Sequence, residues 1–240
     1  MKFLLLLAAL FAFALAQVGC ETAGTHSRSS EPTLAKQVAD VRAGTSDRIQ
    51  LTRTPVNDND LAAIHELTGL RELLIDDARS CVTATGLEHL AGLAKLEHLR
   101  LRGTGCDDAA LAEVARLPEL RVLNVPRGEF TDAGLAELAK LVRLEQLRFG
   151  SPQVTDAGMK TLLELPALKR IHLIGIPLTD VALAELAQIE PLESLYIDDI
   201  AFSDAAWAEL FRQRERLGRP LHVHIDEAHH DRDPRKHDHN

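Results

Sequence analysis

Chemistry in this chain would have to come from a few histidines, cysteines, arginines and acids, and their spacing limits what they can do. His65 and Glu66 start like a zinc-peptidase helix, which needs a second His four positions after the first, but residue 69 is Gly. There is no GxSxG nucleophile elbow, no GxxxxGK phosphate loop and no GxGxxG after a strand. No catalytic residue, metal ligand or cofactor is therefore assigned, and an enzyme is not expected. Histidine gathers at the C-terminus, as His222, His224, His229, His230, His237 and His239 among several acids. Such a tract can hold zinc, copper or nickel loosely, but its spacing fits no closed tetrahedral site, and a solvated tail is the preferred reading.

Composition narrows the classes further. The 240-residue chain carries a net charge of −9, which opposes general binding to nucleic acid because phosphate contacts need clustered Lys and Arg. Hydrophobic residues make up 45% but aromatic residues only 4%, so the core is aliphatic and suits a thin, regular object. Three cysteines without a CxxC pair exclude a zinc ribbon and a disulfide-dense miniprotein.

The elements come from a repeat. Leu96, Leu120, Leu144, Leu168 and Leu192 recur every 24 residues, with Leu70 another 26 upstream. Each opens an LxxLxL phrase such as LEHLRLRG or LEQLRFGS, whose period of two reads as a short strand. A second phrase follows, seen as VNDNDL, VTATGL, CDDAAL, FTDAGL, VTDAGM, LTDVAL and FSDAAW, and its apolar residues continue at threes, as in Leu135, Leu138, Leu141 and Leu144. That spacing predicts one apolar stripe on a helix. A single strand and helix cannot bury its own stripe, so the copies must stack, with their strands side by side in a parallel sheet.

From about Arg48 to Ile225 the chain resembles the leucine-rich repeat proteins, in particular the bacterial kind whose repeats carry TDAGL. The resemblance implies an α/β solenoid with a parallel concave sheet and short helices on the convex side. The Asn or Cys that many such proteins keep after the strand is replaced here by Thr54, Thr104, Gly128, Pro152, Ile176 and Ile200, so a continuous side-chain ladder bonding the turn backbone at that position is not expected. Thr131, Thr155, Thr179 and Ser203, with Asn57 and Asp107, read as helix N-caps, and Asp132, Asp156, Asp180 and Asp204 as negative charge at each helix's positive end. A cation site between the stacked aspartates is the weaker reading, since capping accounts for each acid. Two readings stand for Cys81 and Cys106, one coil apart: a disulfide, or a small core residue at 106 in the slot filled elsewhere by Val56, Val82, Phe130 and Val154. The stretch RQRERLGRP is expected on an outer face that no further coil covers.

The residues flanking the inward Leu positions point out of the concave face. The central column is Gln50, Leu74, Arg100, Asn124, Arg148, His172 and Tyr196. Arg102 and Arg170 lie in the flanking columns, as do His98, Asp76 and Asp198. In an acidic protein this gathers Arg100, Arg102, Asn124, Arg148, Arg170, His172 and the only Tyr on one face. The expected partner is an acidic segment of another protein or an anionic envelope polymer.

The N-terminus reads as an address. FLLLLAALFAFALA after Lys2 fits the apolar core of a secretory signal, so residues 1–19 are read as a signal peptide. Ala14-Leu15-Ala16 fits ordinary cleavage to a soluble product, whereas Gln17-Val18-Gly19-Cys20 resembles a bacterial lipobox with Cys20 as the lipidated residue, the favoured reading. The protein is then expected in the cell envelope, anchored to a membrane. Residues 20–45 form a polar tether and a cap helix, 46–226 the solenoid, and 227–240 a disordered His-rich tail.

Overall fold

The computed structural model describes residues 31–77 and 79–225. Eight strands form one parallel sheet in simple sequence order: β1 (Arg48–Leu51), β2 (Glu72–Ile75), β3 (His98–Leu101), β4 (Val122–Val125), β5 (Gln146–Phe149), β6 (Arg170–Ile174), β7 (Ser194–Asp198) and β8 (His222–Ile225). Helix α1 (Leu34–Arg42) precedes β1, and α2 (Asp58–Ala62), α3 (Ala84–Glu88), α4 (Asp108–Val114), α5 (Asp132–Glu137), α6 (Asp180–Leu186) and α7 (Asp204–Arg216) lie on the return paths between strands. Between β5 and β6 the return is a 3-10 helix, Asp156–Glu164. This is an α/β leucine-rich repeat solenoid. Its core is the strip between sheet and helices, where pairs such as Leu99 and Leu101, Leu147 and Phe149, or Leu195 and Ile197 are fully buried.

The spacing of three has its own geometry. Leu90 N–H donates to Leu87 C=O, Leu93 to Leu90 and Leu96 to Leu93, each at 2.8–3.0 Å, and Leu141 and Leu144 repeat the pattern from Leu138. These i to i+3 bonds belong to 3-10 turns, in which residues three apart eclipse and all the leucines fall on one edge. The α-helices expected from the pattern are therefore short, and the coil delivers its chain to the next strand by successive tight turns.

A side-chain ladder does join the coils, at a position the sequence reading assigned to the helix dipole. Asp58 accepts from Thr83 N and Oγ1, Asp108 from Thr131, Asp132 from Thr155, Asp156 from Thr179, and Asp180 from Ser203, at 2.5–2.9 Å. Each Asp thus holds the capping residue of the following coil, while Thr131, Thr155, Thr179 and Ser203 cap their own helices. The hydroxyl and amide of Ser203 hold the Asp180 carboxyl below its ordinary range. Its contribution is thus present above the usual carboxylate pKa and is lost as pH falls through the depressed value. At Gly86, Gly134 and Gly158 a Cβ would collide with the preceding aspartate's carboxylate oxygen. Ala182 and Ala206 stand at the same position where the bond is still made, so glycine eases the clasp without being its condition.

The one missing clasp is chemically consistent. The slot that should hold the acceptor is Ala84, and the capping residue facing it in the repeat is Asp107, which accepts from Ala110 N. A carboxylate at both places would repel.

The two ends are finished differently. On the open edge of β1, Gln37 Nε2 donates to Gln50 C=O and Gln50 N–H donates to Gln37 Oε1, at 2.9 and 2.7 Å, so one amide replaces a neighbouring strand. Glu31 accepts from Thr52 N–H and Arg53 N–H beside it. At the other end, Arg214 of the charged stretch is buried, with 1% exposure, instead of lying on an outer face. Its guanidinium donates to the carbonyls of Ile189, Leu192 and Arg219, the preceding coil's turn and its own. Five fixed donors fit several carbonyls at once, which is why an arginine can occupy this place.

Ala84→Asp alone should lower stability by setting two carboxylates together. Combined with Asp107→Thr, it should complete the ladder, leaving the double variant more stable than the two single effects sum to by about 1 kcal/mol in urea unfolding. Strict additivity would mean the clasp contributes nothing.

Candidate binding face

The sheet register sets the central column as read from the repeat, with Gln50, Leu74, Arg100, Asn124, Arg148, His172 and Tyr196 as Cα partners on successive strands, and extends it to His224 on β8. Parallel strands about 4.8 Å apart bring these side chains within reach of one another. Seven of the eight are polar or aromatic, and from β3 onward none is aliphatic.

Asp76 holds Arg100, and Asp198 holds the histidine that receives Arg148. Arg100 Nη1 donates to Asp76 Oδ2 at 3.0 Å, and Arg102 Nε stands 3.9 Å from Asp76 Oδ1. Arg148 Nε donates to His172 Nδ1 at 3.1 Å, and His172 Nε2 lies 2.6 Å from Asp198 Oδ2. Because a guanidinium cannot accept, Nδ1 carries no proton here, so Nε2 carries it and donates to Asp198. The His172 and Tyr196 rings are 5.5 Å apart, and Tyr196 stacks on His224 at 4.5 Å with an interplanar angle of 6°. Arg170 is exposed at the rim and makes no ion pair among the described residues. Burial holds His98 below its ordinary range against the opposing pull of Glu72.

Between these residues is a groove of about 370 Å³, lined by His98, Arg100, Asn124, Arg148, Arg170, His172 and Tyr196 among others. A second depression of about 380 Å³, lined by Asp76, Arg102, Arg127 and Arg148, shares Arg148 with it. Arg100 Nε, Asn124 Oδ1 and Asp76 Oδ1 are buried without a hydrogen-bond partner among the described residues, and Asn124 as a whole is only 8% exposed. All seven residues named from sequence thus lie on one face, and six of them line the groove itself. Arg102 sits in the adjoining depression.

Sequence reasoning placed Asp76 and Asp198 in flanking columns without giving them a role, and they turn out to orient Arg100 and His172. The signal was available in the strand alternation, since both stand two residues after a central-column position. His224, grouped by sequence with the C-terminal histidines whose preferred reading is a solvated tail, belongs to the face and stacks on Tyr196. His222 is also on β8, whereas His229, His230, His237 and His239 lie outside the described residues, as do the signal segment and Cys20. Among the described residues no helix is long and apolar enough to cross a membrane.

Cys81 and Cys106 are free thiols, which corrects the disulfide alternative. The residue aligned with Cys106 in the preceding coil is Val82, so Cys81 sits one position earlier and faces the other side of the chain. Cys81 is exposed. Cys106 is buried 3.3 Å from Thr104 Oγ1, and burial pushes its thiol up to about 11.

No protein-family model matches the chain, and no curated protein is similar to it. Among solved structures, an internalin from Listeria monocytogenes is similar at 18% identity with a TM-score of 0.38, over 68% of this chain. The matched region spans 65% of the internalin's own length.

A thiol-specific reagent at neutral pH should label Cys81 within minutes and Cys106 only after unfolding, read by mass spectrometry. Equal labelling in the native state would contradict the burial of Cys106.

Proposed function

We propose that the protein is a non-catalytic interaction module that takes an acidic segment of a protein partner along the open face of its sheet. The observation that carries the reading is the unbroken polar column from Arg100 to His224, over a groove in a chain of net charge −9. The fold does not require it, because Leu74 fills the same column on β2. Burying Arg100 Nε and Asn124 Oδ1 without partners costs stability, which a ligand's hydrogen bonds would restore. Arg100, Arg102, Arg148 and Arg170 outnumber Asp76 and Asp198, so the middle of the face is basic while the molecule as a whole is acidic. Arginine and tyrosine are also the types that most often dominate binding energy when they are centrally placed.

A photo-crosslinking side chain at position 148, activated in cells, should capture one protein reproducibly. Arg100→Glu with Arg148→Glu should weaken binding of that protein at least tenfold at physiological salt, while leaving the thermal transition within a few degrees. Undiminished capture by the reversal variant overturns the reading. Capture of an envelope polymer in place of a protein reassigns the partner, and no saturable partner at all favours a structural spacer.

The reading also places the protein outside the cytoplasm, held at a membrane by lipid on Cys20 and a polar tether. Cys20→Ser should move it from the membrane to the soluble fraction. An unchanged distribution would favour cleavage after Ala16 and a soluble product.

A further inference from the structure

The two depressions of the face adjoin, because Arg148 lines both, and the strand register fixes what lies on either side of it. On β6, Arg170 comes two residues before His172, the Cα partner of Arg148. In the other direction, Arg127 comes three residues after Asn124, its partner on β4. With strands about 4.8 Å apart and a rise of about 3.3 Å per residue, Arg127, Arg148 and Arg170 therefore stand on one diagonal over the end of β4, the middle of β5 and the start of β6. Arg148 is half-buried and fixed by the His172 ring, whereas Arg127 and Arg170 are exposed and make no ion pair or side-chain hydrogen bond among the described residues. Elsewhere the protein answers its arginines between coils: Arg71 meets Glu97, Arg121 meets Glu145 and Arg143 meets Glu119. The diagonal lacks such acids. The groove has Arg100, Arg148 and Arg170 with no acid among its described lining residues, and the second depression has Arg102, Arg127 and Arg148 with Asp76 alone, one of whose oxygens already holds Arg100. Each depression thus carries uncompensated positive charge in a chain whose acids outnumber its bases.

We infer that the partner's acidic segment bridges the two depressions: it lies extended across the stack, carries acidic side chains on residues i and i+2, and sets one carboxylate on each side of Arg148. This rests on the reading of the face as an anion-binding surface and names the pattern that surface recognises. The groove lies on the Arg170 side of Arg148 and the second depression on the Arg127 side, so their middles are two to three strand residues apart, about 7–10 Å. In an extended segment residues i and i+2 stand about 6.8 Å apart and point the same way, and glutamate side chains span the remainder, whereas residues i and i+1 point to opposite sides. Once the first carboxylate is held, the second arrives at a high effective concentration, so a correctly spaced pair gains more than its charge alone supplies.

The test uses the full chain and three fluorescent peptides of equal length with blocked termini, built on threonine to favour the extended form: one with Glu-Thr-Glu at its centre, one with Glu-Glu, and one with a single Glu. At fixed, low ionic strength the Glu-Thr-Glu peptide should bind about tenfold more tightly than the Glu-Glu peptide of the same composition, the worth of one added charge-assisted contact. Arg127→Gln and Arg170→Gln remove charge from one depression each, and their thermal transitions should match that of the parent chain. Each should weaken the Glu-Thr-Glu peptide about tenfold but the single-Glu peptide less than about threefold, because either depression can still hold one acid. Equal affinities for Glu-Thr-Glu and Glu-Glu, or losses in the two variants that are the same for all three peptides, overturn the bridge. If Arg100→Glu with Arg148→Glu still weakens binding in that case, the reading of the face stands without it. No binding of any peptide, or binding that none of these arginine changes affects, removes that reading and the inference with it.

Discussion

The bond from each aspartate to the capping residue of the next coil is the constraint on which the stack depends. Backbone hydrogen bonds join the coils along the sheet and at a few loop positions such as Cys81 N–H to Val56 C=O, but among the described residues none joins the helix of one return path to that of the next. Without a second connection, the return paths would be aligned only by apolar contact, which has no direction. Asp58, Asp108, Asp132, Asp156 and Asp180 provide that direction by accepting both the amide and the hydroxyl of the following Thr or Ser. The same Thr or Ser, in the later coils, then starts its own helix. One dipeptide, TD or SD, thus performs two tasks: the first residue begins a coil, and the second registers it against the next.

That registration fixes the sheet face. Since the strands pair residue for residue through the stack, any position in the repeat becomes a column, and a column of arginine, asparagine and histidine becomes a continuous polar surface. The ends of such a stack are its weak points, because each leaves groups that a neighbouring coil would have bonded. Gln37 resolves the first by imitating a strand with one carboxamide, and Arg214 resolves the last by offering its fork to carbonyls in the preceding turn. Both are polar side chains in buried or partly buried places, and both are there because backbone groups need partners more than the core needs another leucine.

The binding face is built on the opposite balance. Its arginines are neither fully paired nor free: Asp76 and Asp198 orient Arg100 and His172 without neutralising the groove. Side chains held in this way lose little further entropy when a ligand arrives, which favours recognition over stability.

Much of this was legible in the chain itself. The 24-residue period fixed the strand positions, the parallel order and the membership of each column, because stacking identical units leaves one register that buries every Leu. The caps at Thr131, Thr155, Thr179 and Ser203 followed from residue type. What could not be read was which neighbour a side chain chooses. Asp132 beside a helix start looks like a dipole partner, yet its carboxylate crosses to Thr155, 23 residues later. Arg214 looks like a surface charge in a basic run, and Cys81 looks like a partner for Cys106. Local sequence determines the element and the face on which a residue lies. Only the packed coils decide which donors and acceptors come within about 3 Å, because hydrogen bonds are short-ranged and directional while the repeat fixes positions only to within a side chain's reach.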